Sequence, residues 1–147
     1  HKYDQIYTSE QAFFDDLEQM NSIIKAQTGN DASIIRFPGG SSNTVSKDYC
    51  PGIMTQLVND VTARGLLYCD WNVSSGDANS KPISTEQVVQ NVISGVQSHN
   101  VSVVLQHDIK DFSVNAVEQI IQWGQANGYT FLPLTTSSPM SHHRVNN

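Results

Sequence analysis

The side chains in this sequence that are best suited to chemistry lie beyond short apolar runs. Arg36 follows one such run and precedes a Pro-Gly-Gly turn, Asp77 lies beyond a second, and His107 and Asp108 follow a third. The planar guanidinium of arginine can bind a carboxylate, and histidine, which titrates near neutrality, can protonate a leaving group. Taken alone, an arginine at a strand end is more often part of a structural ion pair, and a histidine there is more often a structural hydrogen-bonding group.

Helices and strands alternate in the apolar pattern, and they are the elements that must position these side chains. Periodicity predicts four helices, across 12–24, 53–61, 88–96 and 117–123, with capping boxes at Thr8–Gln11 and Ser84–Gln87 and glycine stops at 29, 65 and 128. Short apolar runs predict strands at 34–37, 66–69, 101–105 and 129–134. This alternation favours an α/β fold of parallel strands, with the chemistry in the loops after their C-terminal ends.

Composition limits the class of protein. A chain of 147 residues with 38% hydrophobic and 15% charged content is typical of one globular domain. The net charge of -6 disfavours nucleic acid as a partner, and no apolar run approaches the ~20 residues of a membrane helix. Cys50 and Cys69 can pair only if their Cα atoms lie within ~7 Å of each other, so the sequence leaves the redox compartment open.

Three motifs carry a resemblance to a known family. RFPGG at 36–40, DWNVSSGDA at 70–78 and LQHD at 105–108 closely resemble, in order and spacing, the last three motifs of the polysaccharide deacetylases, which are carbohydrate esterase family 4 with its NodB homology domain. HKYDQIY at the start looks like the close of the family's His-x-x-x-His motif, and HHRVNN looks like the end of bacterial members. The resemblance implies the C-terminal part of an irregular (β/α) barrel, with residues 1–147 as part of a single catalytic domain. The family's Thr-Phe-Asp-Asp motif and the first histidine of the second motif do not occur in these residues.

The resemblance also implies roles for acid and base groups. His107 matches the general acid that protonates the departing amine, and Asp77 matches the carboxylate that sets the protonation of that histidine. Asp70 remains an alternative partner for the histidine. Arg36 matches the arginine that orients the catalytic-base aspartate, which these residues lack.

Further roles concern the substrate and a metal ion. Relatives commonly place tyrosine after the proline of the third motif, where this chain has Gly39, whose N–H remains available to stabilise an oxyanion. The resemblance implies that Trp71 walls the acetyl pocket and that Leu105 lines the acetate pocket, although both residue types are also common in cores. His1 matches a ligand of a divalent metal, usually Zn²⁺ and alternatively Co²⁺. Its alternatives are a frayed terminal residue or a copper-chelating N-terminus, and a solvated tail is expected for His142 and His143.

The function expected from the resemblance is metal-dependent hydrolysis of acetyl groups on an N-acetylglucosamine polymer, foremost bacterial peptidoglycan, in an extracellular or cell-wall location. Chitin and acetylated xylan are alternative substrates, and a non-catalytic glycan-binding remnant is an alternative function. Because the base and two ligands are missing from these residues, we expect them to be inactive alone. An open sheet edge would invite pairing with an N-terminal fragment or another copy of the chain.

Overall fold

The chain forms two compact units. The computed structural model describes residues 1–147, of which unit 1 comprises His1–Asp70 with Thr135–Asn147, and unit 2 comprises Trp71–Leu134. Each unit contains one pair of short parallel strands together with helices. None of the helices combines the length and the apolar character that crossing a membrane requires.

Unit 1 is built around one parallel strand pair, in which Ile34 is opposite Leu67 and Ile35 is opposite Tyr68. Its elements are α1 (Tyr3–Ile6), α2 (Glu10–Thr28), β1 (Ile34–Ile35), a 3₁₀ helix (Val45–Asp48), α3 (Ile53–Ala63) and β2 (Leu67–Tyr68). The predicted helices and strands of this unit are confirmed, although each strand is shorter than its apolar run. The short helix α1 was not predicted, because four residues are too few for periodicity to reveal.

The start of α2 corrects one predicted cap. Ser9, and not Thr8, precedes the helix, and its hydroxyl accepts a hydrogen bond from the Ala12 N–H at 3.1 Å. Thr8 instead donates its hydroxyl to the Gln5 carbonyl at 3.0 Å. The stop was predicted correctly, since Gly29 adopts the left-handed φ of 77° that ends many helices.

An aromatic and aliphatic core holds unit 1 together. Its buried members are Ile6, Tyr7, Phe13, Phe14, Phe37, Ile53, Met54, Leu57 and Val61. The ring of Phe37, only 1% exposed, lies 5.5 Å from the Phe13 ring and 5.3 Å from the Tyr68 ring. Because successive side chains of an extended segment point to opposite sides, burial of Phe37 leaves the neighbouring Arg36 exposed.

The C-terminal segment is packed against the other residues of unit 1, which corrects the expectation of a solvated tail for His142 and His143. His142 stacks on Tyr68 with ring centroids 4.1 Å apart, and the half-buried His143 lies 3.1 Å through its Nδ1 from the Ser42 hydroxyl. Asn147 closes the start of α3, because its Oδ1 accepts from Gly52 N–H and its main-chain oxygen accepts from Thr55 N–H, both at 2.7 Å. These groups satisfy donors that the first turn of a helix otherwise leaves unpaired.

Unit 2, like unit 1, combines one pair of short parallel strands with helices. Its elements are β3 (Val73–Ser74), α4 (Thr85–Val96), β4 (Val104–Leu105), α5 (Asp111–Val114) and α6 (Val117–Ala126). The Ser84 hydroxyl accepts from Gln87 N–H at 3.1 Å, so the predicted cap of α4 is confirmed. The core of this unit comprises Val88, Val89, Val92, Ala116 and Ile120.

One predicted strand is wrong and one observed strand was not predicted. Residues 129–134 form no strand, and within them Phe131 and Leu132 are 52% and 80% exposed. Nothing in the described structure pairs with this segment, and Pro133 lacks an N–H for a ladder. Strand β3, by contrast, lies inside a polar motif whose single buried valine gives no alternating pattern. The parallel pairings confirm the α/β class, whereas the irregular barrel stays a prediction.

Candidate active site

In unit 2, the strand register sets Asp77 beside His107. Strands β3 and β4 are parallel, with Ser74 opposite Leu105, so the segments after these residues leave the sheet side by side. The chain then turns at Gly76, which has a left-handed φ of 78°. A Cβ on this glycine would overlap the Asn91 side-chain amide, which donates to the Ser75 carbonyl at 2.9 Å. Glycine is therefore required where the turn delivers Asp77.

The carboxylate of Asp77 accepts hydrogen bonds from His107 and Ser113. Its Oδ1 accepts from Nδ1 of His107 at 2.8 Å, and its Oδ2 accepts from the main-chain N–H of His107 at 2.7 Å. The Ser113 hydroxyl donates to the same Oδ2 at 2.6 Å. Asp77 is 2% exposed and Ser113 is fully buried. The carboxylate is thus held rigidly, with its charge directed at the imidazole.

These contacts keep Asp77 ionised. Burial alone would raise the pKa of this carboxyl group, but hydrogen bonds from Ser113, from the His107 side chain and N–H, and from Ser75 outweigh burial and lower the pKa from 3.8 to about 2. A carboxylate that accepts several hydrogen bonds is stabilised in its charged form. Asp77 is therefore an anion at neutral pH.

The imidazole of His107 presents its second nitrogen away from this carboxylate. Its side chain is 34% exposed and lines an open cleft of about 280 Å³, together with Gln106, Asp108, Val114 and Val117. Since Nδ1 is held by Asp77, Nε2 is the atom left to exchange a proton with a ligand. The pair has the geometry of a carboxylate-oriented acid–base histidine.

Two supporting residues were missed by sequence reasoning. Ser113, in α5, donates to Asp77, and its carbonyl accepts from Nε2 of Gln106 at 2.6 Å. The amine of Lys110 donates to the main-chain carbonyl of Asp77. No motif marks either residue, although both lie within the nine residues that follow Leu105 in the chain.

Trp71 and Leu105 also belong to unit 2. Leu105 ends β4 and is 7% exposed, as expected for a core residue at a strand end, and Trp71 is half-buried. Neither is among the residues that line the cleft at His107. Their predicted contacts with an acetyl group stay predictions.

In unit 1, Arg36 and Gly39 lie on a tight turn after β1. Gly39 and Gly40 have left-handed φ values of 79° and 81°, which other residues rarely adopt. The turn is closed by Gly40 N–H donating to the Phe37 carbonyl at 2.7 Å. The Tyr7 hydroxyl donates to the Pro38 carbonyl at 2.6 Å, and burial raises the pKa of Tyr7, which therefore stays a donor. The exposed residue Arg36 therefore lies next to a turn that these hydrogen bonds hold in place.

Asp70 is engaged in a separate structural role. Its Oδ1 accepts from Ser41 N–H at 2.8 Å, while its Oδ2 accepts from the Ser41 hydroxyl and, at 2.9 Å, from His143 N–H. The carboxylate therefore ties the residue after the glycine pair to the C-terminal segment. Of the two aspartates considered for the histidine, Asp77 is the one that hydrogen-bonds His107.

His1 lies beside a second cavity, in unit 1. Its Nδ1 pairs with the carboxylate of Asp16, and both residues line a cavity of about 190 Å³ that Arg36 also borders. The chain brings no three His, Cys, Asp or Glu side chains together as a metal-binding cluster, so the ligand role of His1 stays a prediction. Cys50 and Cys69 are free thiols.

Comparison with known proteins finds relatives of this chain, although no family model matches it. The chain is 27% identical over 135 residues to a peptidoglycan-N-acetylglucosamine deacetylase of Bacillus cereus, covering 89% of the chain and 46% of that protein. It thus spans about half the length of this curated relative.

Three solved structures also match the chain, one of them at far higher identity than the curated relative. The catalytic domain of a peptidoglycan N-acetylglucosamine deacetylase from Eubacterium rectale matches with 98% identity and a TM-score of 0.99, over 100% of this chain and 67% of that one. A polysaccharide deacetylase from Bacillus cereus matches in fold, with 23% identity and a TM-score of 0.72 over 97% of this chain and 66% of that one. A Streptococcus mutans CE4 esterase also matches in fold, at 24% identity and a TM-score of 0.68, over 89% and 58% of the two chains.

The chain thus shares its fold with solved deacetylase and esterase structures, and in this chain Asp77 holds His107 after a parallel strand. The chain belongs to the polysaccharide deacetylase family. The resemblance drawn from the motifs at 36–40, 70–78 and 105–108 is thereby confirmed.

Proposed function

We propose that this protein hydrolyses acetyl groups from the N-acetylglucosamine units of peptidoglycan. The observation that carries the proposal is the Asp77–His107 pair, because hydrolysis of an amide requires a group that protonates the departing amine. The peptidoglycan deacetylases similar to this chain, including one at 98% identity, support the choice of substrate. Peptidoglycan surrounds bacterial cells, so the proposed location is extracellular or at the cell wall.

The proposed chemistry follows from the two nitrogens of His107. Hydrolysis adds a water oxygen to the acetyl carbonyl and breaks the C–N bond, and the nitrogen that leaves must gain a proton. His107 holds Nδ1–H against Asp77, so Nε2 carries the proton that is donated. The buried anion of Asp77 stabilises the imidazolium before the transfer and fixes the ring orientation.

Residues outside the Asp77–His107 pair have separate proposed roles. Two of them, Arg36 and Gly39, lie in the turn after β1, which is called the glycine turn because it contains Gly39 and Gly40. Arg36 is a permanent cation on an exposed face, suited to orient a carboxylate that serves as catalytic base. Gly39 N–H is proposed to donate to the oxygen of the tetrahedral intermediate. Trp71 and Leu105 are proposed to contact the acetyl group.

We also propose that His1 contributes one imidazole to a divalent metal, with Zn²⁺ the first choice and Co²⁺ an alternative. Imidazole is a common ligand of Zn²⁺. Because Nδ1 of His1 pairs with Asp16, Nε2 is the nitrogen left for coordination. When bound, such a metal polarises a carbonyl and acidifies a water molecule.

The test measures acetate release by the full-length protein from peptidoglycan, chitin oligomers and acetylated xylan. We expect release from peptidoglycan, and we expect His107→Ala to lower kcat by ~10²–10⁴-fold, the usual contribution of a general acid. His99→Ala is the matched control, because His99 is an exposed histidine in the same unit, and its imidazole hydrogen-bonds the Gly95 carbonyl and not a carboxylate. Near-normal turnover by His107→Ala would refute the acid assignment, and release from acetylated xylan alone would overturn the proposed substrate.

A further inference from the structure

Tyr3 reaches the glycine turn from a distant part of the sequence. A Cβ built on Gly39 would collide with the hydroxyl of Tyr3, and it would lie 3.1 Å from the Cζ atom of that ring. The phenol therefore occupies the space that a side chain at position 39 would need. Glycine is required there both by its left-handed φ of 79° and by this neighbour.

The position of the Tyr3 ring is fixed by the same turn. The ring packs edge-on against Tyr7, with centroids 5.6 Å apart and planes at 67°. Tyr7 is fully buried, and its hydroxyl donates to the Pro38 carbonyl at 2.6 Å. Tyr3 thus rests on a residue that is itself bonded to the turn, so its hydroxyl is held in place beside Gly39.

Both polar groups at this point are available to a ligand. Gly39 is exposed and Tyr3 is half-buried. Hydrogen bonds of the turn run from Gly40 N–H to Phe37 and from Tyr7 to Pro38, and they use neither Gly39 N–H nor the Tyr3 hydroxyl. The Tyr3 hydroxyl therefore lies next to the main chain of Gly39, an exposed residue, and neither this hydroxyl nor the Gly39 N–H is used by the turn.

We propose that Tyr3 is a catalytic residue whose phenolic O–H donates to the acetyl oxygen of the substrate alongside Gly39 N–H. This inference rests on the proposed deacetylase function. Two preorganised donors stabilise the negative charge that develops on this oxygen when water adds to the carbonyl. The hydroxyl acts only as a hydrogen-bond donor, so no proton is transferred to or from Tyr3.

The test compares Tyr3→Phe with the wild-type full-length protein in acetate release from peptidoglycan. Phenylalanine keeps the ring that packs on Tyr7, so the change removes only the hydroxyl. We expect kcat to fall on the order of 10²-fold, the usual cost of one oxyanion donor, with KM nearly unchanged. Tyr49→Phe is the matched control, because Tyr49 is an exposed tyrosine of the same unit, 41% accessible, that takes no part in the turn.

Three outcomes would contradict the inference in different ways. If wild type releases acetate and Tyr3→Phe has kcat/KM within twofold of it, the role of Tyr3 is wrong and the proposed function stands. If Tyr3→Phe raises KM and leaves kcat unchanged, Tyr3 binds the ground state and is not an oxyanion donor. If wild type releases no acetate from any acetylated glycan while folding normally, the proposed function fails and the inference fails with it.

Discussion

Replacing Asp77 with asparagine tests whether this carboxylate controls His107. Asparagine has nearly the same shape, but it carries one acceptor oxygen and one NH₂ donor in place of two acceptor oxygens. The carboxylate accepts from Nδ1–H and N–H of His107 and from the Ser113 hydroxyl. At least one of these donors would face the amide NH₂ of Asp77→Asn and lose its acceptor.

The expected cost to stability follows from the burial of this site. Hydrogen bonds to a charged group are each worth ~1.5–3 kcal/mol, and removing one partner of a buried charged pair costs ~3–5 kcal/mol. The imidazole is one-third exposed, so solvent screens part of its interaction and the lower figure applies. We expect the free energy of unfolding of Asp77→Asn to fall by ~3 kcal/mol at pH 7.

The pH dependence of the free energy of unfolding is a second, independent test of the role of the Asp77 charge. The pKa of Asp77 is lowered on folding from 3.8 to about 2, so the charge stabilises the folded protein above about pH 4. This contribution is lost as the pH falls towards 2. A shift of this size corresponds to roughly 2 kcal/mol at 1.36 kcal/mol for each pH unit. The stability difference between wild type and Asp77→Asn should therefore narrow by roughly 2 kcal/mol between pH 5 and pH 2.

The assay combines urea unfolding across this pH range with acetate release at pH 7. We expect kcat of Asp77→Asn to fall by ~10²-fold, which is less than the loss caused by removing the acid itself. Asp111→Asn serves as control, because Asp111 is an exposed carboxylate of the same unit that does not line the cleft at His107. Equal kcat in wild type and Asp77→Asn, or a stability difference independent of pH, would refute the assignment of Asp77 as the controlling carboxylate.

Two further variants test unit 1. Asn147→Ala removes the side-chain acceptor of Gly52 N–H at the start of α3 and the donor to the buried Ser46 hydroxyl, so we expect the free energy of unfolding to fall by at least ~1 kcal/mol, the usual cost of one lost cap. Asn146→Ala, at an exposed neighbour, should change it by less than ~0.5 kcal/mol, and equal losses would contradict the capping role. His1→Ala should weaken Zn²⁺ binding by the full-length protein at least ~10-fold in equilibrium dialysis, the loss that even outer partners of a metal ligand cause. His142→Ala is its control, and unchanged zinc affinity of His1→Ala would show that this residue is not a ligand.

Local signals predicted the helix ends well. Gly29 and Ser84 act through hydrogen bonds within four residues of their own position, so their effect can be read in the sequence. The cap of α2 was misplaced by one residue because Thr8 and Ser9 have equivalent side chains, and only the backbone conformation decides between them. The apolar segment 129–134 failed as a strand because a strand exists only through a partner, and composition does not supply one.

The site was predicted in part, through motifs and not through periodicity. Asp77 and His107 were paired by their resemblance to a family, and the structure confirms the contact. The supporting Ser113 was missed because it lies 36 residues from Asp77 in the sequence, and no local pattern joins them. Tyr3 was missed for the same reason, since its relation to Gly39 is a matter of shared space.

Strands of two residues hold His107 firmly in place because the side chain of Asp77 adds to their pairing. The main-chain ladder between β3 and β4 ends where Ser75 N–H donates to the Leu105 carbonyl at 3.1 Å. The next N–H that points towards β3 in the segment after β4 belongs to His107, and it donates to the carboxylate of Asp77 at 2.7 Å. This side chain therefore extends the pairing beyond the last main-chain bond, and its other oxygen holds the imidazole of the same residue. Because the backbone and the ring of His107 are bound by one rigid carboxylate, a slip in register would break both bonds together, whereas a rotation of the ring would break only the bond to Nδ1.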